Sequence, residues 1–498
     1  MKKNNIVQQL GLLCLITFTT VVVAEDKDRP IPEPMKSVTQ FEGRFNGQKM
    51  DYTAIASETP LKNKEGDIAA HIFSISYIKD DVKDTATRPV AFIYNGGPGS
   101  SSVWLHMGVF GPKKIQLASD AEDDGAAPFN ILDNPDTILD VTDLVFIDPV
   151  GTGFSRVVGK GDNKDYWGIT QDAKSIAQFI RIWLREHGRW NSPKYIGGES
   201  YGTTRSAALI EQLEGGFDDV SINGILLIST ILDFTVDTYD QGNELVHMVM
   251  LPTMAATAHY HGKVSQDLTL EEWVNEARQF AIQEYAPALL MGPDLQGEQR
   301  EALRRKLAHY TGLSEDYLEL ANLRVHFQRF NKELMRDEGF ALGRLDSRFK
   351  GDEYDDAGEF PETDPSFYGI DGSYTAALNH WVRGELAFNP DREYTIIGGV
   401  KNWDWSTRQD GRREPYLNVA PYIGKAMRGN KDLKVFNAAG YFDFATPFLG
   451  AEYSLQRNGI DPERVTYKYY PAGHMMYIHH PSFDQLLNDV RTFIATSH

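Results

Sequence analysis

The stretch Gly197-Gly198-Glu199-Ser200-Tyr201-Gly202 governs the reading of this chain. It contains G-x-S-x-G with Ser200 at its centre. Lys194-Tyr195-Ile196 before it reads as a short strand, and residues 203–210 after it read as the start of a helix. Small residues on both sides of the serine permit a tight, strained strand-to-helix turn that lifts its Oγ clear of the backbone. The first N–H groups of the helix then face any negative charge that develops there. Alone, the pattern fits an ordinary Gly-rich turn equally well, so the neighbouring segments carry the decision.

Short apolar runs ending in Gly-rich turns recur at residues 90–94, 144–147, 195–196, 225–228, 435–438 and 465–470. Helical patterns separate several of them, as in residues 171–186, where Ile176, Phe179, Ile180 and Trp183 share one face. Strands alternating with helices predict an α/β fold with a mostly parallel sheet covered on both sides. Residues 41–45, 50–57 and 69–78, separated by Asn46-Gly47 and Glu65-Gly66, read as antiparallel strands at the sheet edge. The alternation stops over residues 237–391, which are mainly helical. Thr269-Leu270-Glu271-Glu272 is a capping box that opens one helix. Ser314 precedes another, with an apolar face of Leu320, Leu323, Phe327, Phe330 and Leu334. Helices inserted ahead of the last two strands predict a lid, and a separate helical domain is the alternative. The division is residues 1–24 as a leader, 25–236 and 392–498 as the two parts of the core, and 237–391 as the insertion.

Three further stretches supply what acyl-transfer chemistry needs beside Ser200. Asn95-Gly96-Gly97-Pro98-Gly99-Ser100-Ser101-Ser102 follows the strand at 90–94, and its glycines let backbone N–H groups approach a substrate oxygen. That gives a second oxyanion donor beside the N–H of Tyr201. Asp443, in Gly440-Tyr441-Phe442-Asp443, is placed to orient a histidine, and His474, in Gly473-His474-Met475-Met476, to take the proton from Ser200. Nucleophile, acid and base occur in the order Ser…Asp…His, each just after a strand, as in α/β-hydrolases.

The chain resembles the serine carboxypeptidases of the S10 peptidase family over nearly all of its length after the leader, as a bacterial-type exported member. The matching stretches are Tyr94-Asn95-Gly96-Gly97-Pro98-Gly99, Asp148-Pro149-Val150-Gly151-Thr152-Gly153-Phe154-Ser155, Gly198-Glu199-Ser200-Tyr201-Gly202 and Ala472-Gly473-His474-Met475. The resemblance implies an α/β-hydrolase fold with a helical insertion and Ser200, Asp443 and His474 as the triad. It also implies Gly97 and Tyr201 as backbone oxyanion donors, Asn95 and Glu199 as binders of the substrate's terminal carboxylate, and Met475 as a further substrate contact. Two departures stand out. Ser100 occupies a position where relatives often carry a disulfide-bonded cysteine, and Val109 aligns where many have a second acid.

Composition agrees with an exported enzyme. Of the 498 residues 41% are hydrophobic and 24% charged, the balance of a soluble globular protein. Lys2 and Lys3, the apolar run over residues 10–23 and Val22-Val23-Ala24 read as a cleavable secretory signal, with an uncleaved anchor as the alternative. Cys14 is the only cysteine and falls inside that leader. A thiol-free exported protein suits a bacterial periplasmic or secreted location, with no stable membrane anchor once the signal is removed. The formal charge of −20 excludes nucleic acid as a partner. Acidic runs at residues 120–124 and 352–359 read as solvated loops. His259-Tyr260-His261 and His479-His480 lack the carboxylate or cysteine spacing of a metal site, so neither metal nor cofactor is expected. Trp403-Asp404-Trp405 fits either a cleft wall or packing. Together these features predict release of C-terminal residues from peptides with a free C-terminus, through an acyl-enzyme on Ser200. An esterase or acyltransferase with the same triad, or a non-catalytic binder on a hydrolase scaffold, are the alternatives.

Overall fold

The computed structural model describes residues 29–118, 121–122, 125–216, 218–407 and 416–497. The leader with Cys14, and part of the acidic run at 120–124, lie outside the described residues. Nine strands form the path of the central sheet: β1 (Lys36–Phe45), β2 (Gln48–Lys62), β3 (Ile68–Lys79), β4 (Val90–Tyr94), β5 (Asp143–Ile147), β6 (Lys194–Ser200), β7 (Gly224–Thr230), β8 (Lys434–Gly440) and β9 (Val465–Tyr470). Their spatial order is β1-β2-β3-β5-β4-β6-β7-β8-β9, and the short strand Arg156–Val157 adds to β3 off this path. The first three strands and the β3–β5 pair are antiparallel, and every pair from β5 to β9 is parallel. This is the α/β-hydrolase sheet, a parallel array with an antiparallel meander at one edge.

Period-two alternation sorts each buried strand between two cores. On β7, Leu226 and Ile228 enter one apolar cluster while Ile225 and Leu227 enter the other. The second cluster is covered by α1 (Ile169–Glu186), α2 (Tyr201–Leu213) and Ala420–Gly429, whose buried faces supply residues such as Phe179, Leu209 and Ile423. The C-terminal helix His480–Thr496 covers the first, through Leu486, Val490 and Phe493. α1 forms where the spacing predicts, with Asp172 in its first turn and Arg185 in its last, each matched to the helix dipole. Its Trp183 is buried and donates to Ser76 Oγ at 3.0 Å.

Between β7 and β8 the chain builds mainly helices, beginning with Leu245–Tyr260 and Leu270–Phe280. The Thr269/Glu272 capping box is formed in both directions. The helix expected from Ser314 through Leu334 is instead two, Glu315–Leu320 and Phe327–Glu333. Asn322 and Leu323 adopt φ of 49° and 59° between them, and Leu323 N donates back to Leu318 O at 2.8 Å. The reversal buries Leu323 and leaves Leu320 87% exposed, so the apolar spacing runs across a break. The acidic run at 352–359 also differs from expectation. Glu353 is buried against Lys332, because a cation on Phe327–Glu333 needs a carboxylate once it is taken out of water. Among the described residues no helix is long and apolar enough to cross a membrane.

Candidate active site

Ser200 ends β6 and caps α2 with φ 59° and ψ −129°, a conformation that ordinary residues rarely adopt. The turn closes because its neighbours lack side chains: a Cβ at Gly198 would strike the carbonyl of Gly202. The glycine loop after β4 approaches equally closely, since a Cβ at Gly96 would come within 2.5 Å of the Tyr201 nitrogen. Gly97 lies in this loop with φ 104°. Buried Asp148 holds the loop's far end, accepting from Ser102 N at 2.9 Å and Ser102 Oγ at 2.8 Å. This explains why the two motifs, some fifty residues apart in sequence, meet. Ser100 needs no disulfide partner, because its hydroxyl accepts from Trp104 Nε1 at 3.0 Å and donates to Ser101 O at 3.0 Å.

Asp443 follows β8 and is fully buried. Its Oδ1 accepts from Ala445 N at 2.8 Å and Thr446 N at 3.0 Å, and its Oδ2 from Thr446 Oγ1 at 2.5 Å. The remaining contact of Oδ2 is His474 Nδ1 at 2.7 Å. Burial pushes the Asp443 carboxyl up, but His474 and the Thr446 donors outweigh it, and the pKa lies below the usual value. Burial likewise pushes His474 down, and Asp443, helped by Glu199, raises it overall. With Nδ1 engaged on a carboxylate, Nε2 is the free ring nitrogen.

Glu199, one residue before the serine, is buried beside this set. Asn95 Nδ2 donates to its Oε2, and the Tyr477 hydroxyl donates to Oε1 and Oε2 at 3.0 Å each. Burial raises the Glu199 pKa to about 7, against the opposing pull of His474, Tyr477 and Asn95. Asn95 is itself fixed, its Oδ1 accepting from Leu105 N at 3.0 Å and its carbonyl accepting from Arg205. Arg205 pairs with Asp172 at 2.6 Å, both buried. Val109 packs wholly inside the core, and the phenolic partner of Glu199 is Tyr477.

Asn95, Gly97, Glu199, Ser200, His474 and Met475 all line one cavity of about 460 Å³. Larger hollows of about 590 and 1190 Å³ lie on other faces of the molecule. Tyr201 follows Ser200 at the start of α2, and its ring packs against Trp403 and Trp405, centroids 5.3 and 5.9 Å away. That settles the Trp-Asp-Trp stretch as packing. His259, His261 and His480 each meet a backbone carbonyl and His479 meets Ser482 Oγ. Among the described residues no three His, Cys, Asp or Glu side chains group to hold a metal. Sequence reasoning missed Tyr477, Thr446 and the Arg205–Asp172 pair. Only Tyr477 had a nearby signal, three residues past His474.

The fold and the placement of a Ser, a His and an Asp at strand ends define an α/β-hydrolase. The serine carboxypeptidase family model matches residues 71–308, which include the glycine loop, the Asp148 stretch and Ser200. Over this part of its length the chain is similar to the serine carboxypeptidases. Serine carboxypeptidase-like 16 of Arabidopsis thaliana is 26% identical over 168 residues, 32% of this chain and 37% of that one. Serine carboxypeptidase-like 7 of the same plant is 31% identical over 142 residues, 28% and 31% of the respective chains. The chain thus spans about a third of the length of the curated relatives it matches. Among solved structures, Kex1ΔP, a prohormone-processing carboxypeptidase from Saccharomyces cerevisiae, gives a TM-score of 0.49 at 14% identity, covering 89% of this chain and 91% of that one.

Proposed function

We propose that this protein is an exported serine carboxypeptidase that releases C-terminal residues from peptides through a Ser200 acyl-enzyme. The observation that carries the reading is a buried Glu199 next to Asn95, its pKa raised by burial to about 7, in the same cavity as Ser200 and His474. A negative Glu199 would repel a terminal carboxylate, whereas the neutral acid donates a hydrogen bond to it and Asn95 supports it. The incoming carboxylate adds a second negative charge and favours the proton on Glu199 further.

In this mechanism Nε2 of His474 takes the proton of Ser200 as Oγ attacks the last peptide carbonyl. The backbone N–H groups of Gly97 and Tyr201 receive the oxyanion. The C–N bond then breaks as His474 returns the proton to the departing amino group, and a water molecule activated by His474 releases the acyl chain. Asp443 holds the ring and the imidazolium charge. Residues 25–236 and 392–498 act as the core and 237–391 as a lid that contributes to the cavity. Residues 1–24 act as a cleaved export signal, so intact-mass measurement on native protein should find them absent and no thiol present. Val109, in place of a second acid, favours an esterase or acyltransferase as the second reading.

Mass spectrometry of matched peptides with free and amidated C-termini, incubated with wild type and Ser200→Ala, tests the proposal. Stepwise loss of residues from free acids alone, abolished in Ser200→Ala, is expected. Equal cleavage of amidated peptides, or turnover of esters only, would establish the second reading instead.

A further inference from the structure

Among the described residues Arg344 is a cation without a carboxylate partner, at the edge of the active cavity. It lies in a segment tied to both catalytic loops. Phe444 N donates to Arg344 O at 3.0 Å and Ser347 N to Phe442 O at 3.0 Å. On the other side His474 N donates to Leu345 O at 2.6 Å, and Gly473 N to Asp346 Oδ2 at 3.1 Å. Four hydrogen bonds joining three chain segments thus fix where residue 344 stands relative to Asp443 and His474. Its side chain is exposed and contributes to the cavity wall, where it is the sole lysine or arginine among the described residues. The guanidinium rests over the Phe327 ring at 6.0 Å.

No ion pair among the described residues includes Arg344. That is unusual for its surroundings, since Arg300, Arg304, Arg324, Arg329, Arg336 and Arg348 all hold carboxylates. Of the carboxyls in the cavity wall, Glu199 is held by Asn95 and Tyr477, and Asp364 is occupied otherwise. The Asp364 oxygens accept from Ser366 N and Ser366 Oγ within its own turn and from the backbone N–H groups of Arg344 and Leu345 about twenty residues earlier. Asp443 belongs to His474. Asp237 senses Arg344 electrostatically, yet lies beyond ion-pair distance. In a chain with 70 acidic residues against 50 basic ones, a fixed cation facing the substrate is open to an anion from outside.

We propose that Arg344 is a specificity-determining residue that pairs with an acidic side chain of the bound peptide, so that substrates with Asp or Glu beside the cleaved bond are preferred. The inference rests on the peptidase reading above. It divides two negative charges between two receptors, the terminal carboxylate at Glu199 and Asn95 and the side-chain carboxylate at Arg344. A planar guanidinium held over an aromatic ring suits a carboxylate in two-point contact.

The test is kcat/KM on two pairs of blocked peptides, Glu against Gln as the residue before the cleaved bond, and Glu against Gln as the released residue. Wild type should prefer Glu by about tenfold to a hundredfold in one pair, which identifies the subsite. R344Q should bring that ratio to about one, and R344E should shift preference towards Lys at the same position. Equal rates on Glu and Gln in both pairs with wild type would overturn the proposal. So would an R344Q variant that loses Glu and Gln peptides equally, since Arg344 would then serve the terminal carboxylate or the fold. If wild type cleaves no peptide at all, the peptidase reading fails rather than this one. A pair of nitrophenyl esters with a carboxylate or an amide on the acyl chain then reads Arg344 independently, and equal rates on the two would reject its role.

Discussion

Tyr477 donates its phenolic hydrogen across both oxygens of Glu199, 3.0 Å from each, over a sequence separation of 278 residues. A second acid in that place would share a proton with Glu199 and push its pKa up, whereas a phenol donates to the anion and draws it down. Asn95, His474 and Asp443 are the other polar groups that act on Glu199, and burial still dominates, leaving the carboxyl at about 7. Tyr477→Phe removes one donor to the ionised form, so the pKa of Glu199 should rise further. Peptide activity that falls as Glu199 loses its proton should then persist to higher pH, with a loss of about tenfold or less at pH 6 from poorer positioning. A pH profile of kcat/KM that does not move would show that Tyr477 only fills space.

Glu199→Gln keeps a hydrogen-bond donor and removes the titration. At pH 8, one unit above a pKa of about 7, wild type retains the neutral acid in about a tenth of molecules. The variant should therefore exceed wild type on peptides there by up to about tenfold, while esters without a carboxylate change little. Stability carries the same sign. The folded carboxyl keeps a proton that the unfolded one loses above 4.5, so wild-type stability should fall between 4.5 and 7 by up to about 3 kcal/mol. Denaturant unfolding of Glu199→Gln across that window should lack the decline.

Thr446→Val tests how Asp443 is held. The hydroxyl donates to Asp443 Oδ2 at 2.5 Å and stands 3.2 Å from His474 Nδ1. Without it the carboxylate is a stronger acceptor and favours the imidazolium more. The acidic limb of kcat should move to higher pH, with kcat near neutrality reduced about tenfold and KM little changed. Stopped-flow or steady-state profiles against pH decide it.

Asp172→Ala leaves Arg205 charged and buried, its 2.6 Å partner gone. Removing one member of such a pair costs about 3–5 kcal/mol. Arg205 also donates to the Asn95 carbonyl, so KM for peptides should rise along with the loss of stability. Chemical denaturation and peptide kinetics on the folded variant measure the two effects separately.

Much of the scaffold follows from local chemistry in the chain. Val90–Tyr94 and Val465–Tyr470 begin and end as strands where their β-rich composition and turn residues dictate. Thr269 and Glu272 form their capping box from side chains three residues apart. Gly198 and Gly96 mark close backbone approaches because no other residue fits there. Such features are written in spacing, since they depend on neighbours within a turn or two. The break at Asn322-Leu323 escaped it, because an apolar stripe keeps its period across a reversal that tertiary burial of Leu323 enforces. Tyr477 on Glu199, Arg205 between Asp172 and Asn95, and Arg344 between the Asp443 and His474 loops were likewise settled only by the folded chain. Each joins residues far apart in sequence through side-chain reach and exclusion of water, and neither leaves a periodic trace. The sequence alone therefore determined which strand ends carry the candidate reactive groups. The tertiary structure decided what surrounds those groups, and with it their charge, because desolvation and hydrogen bonding act through space rather than along the chain.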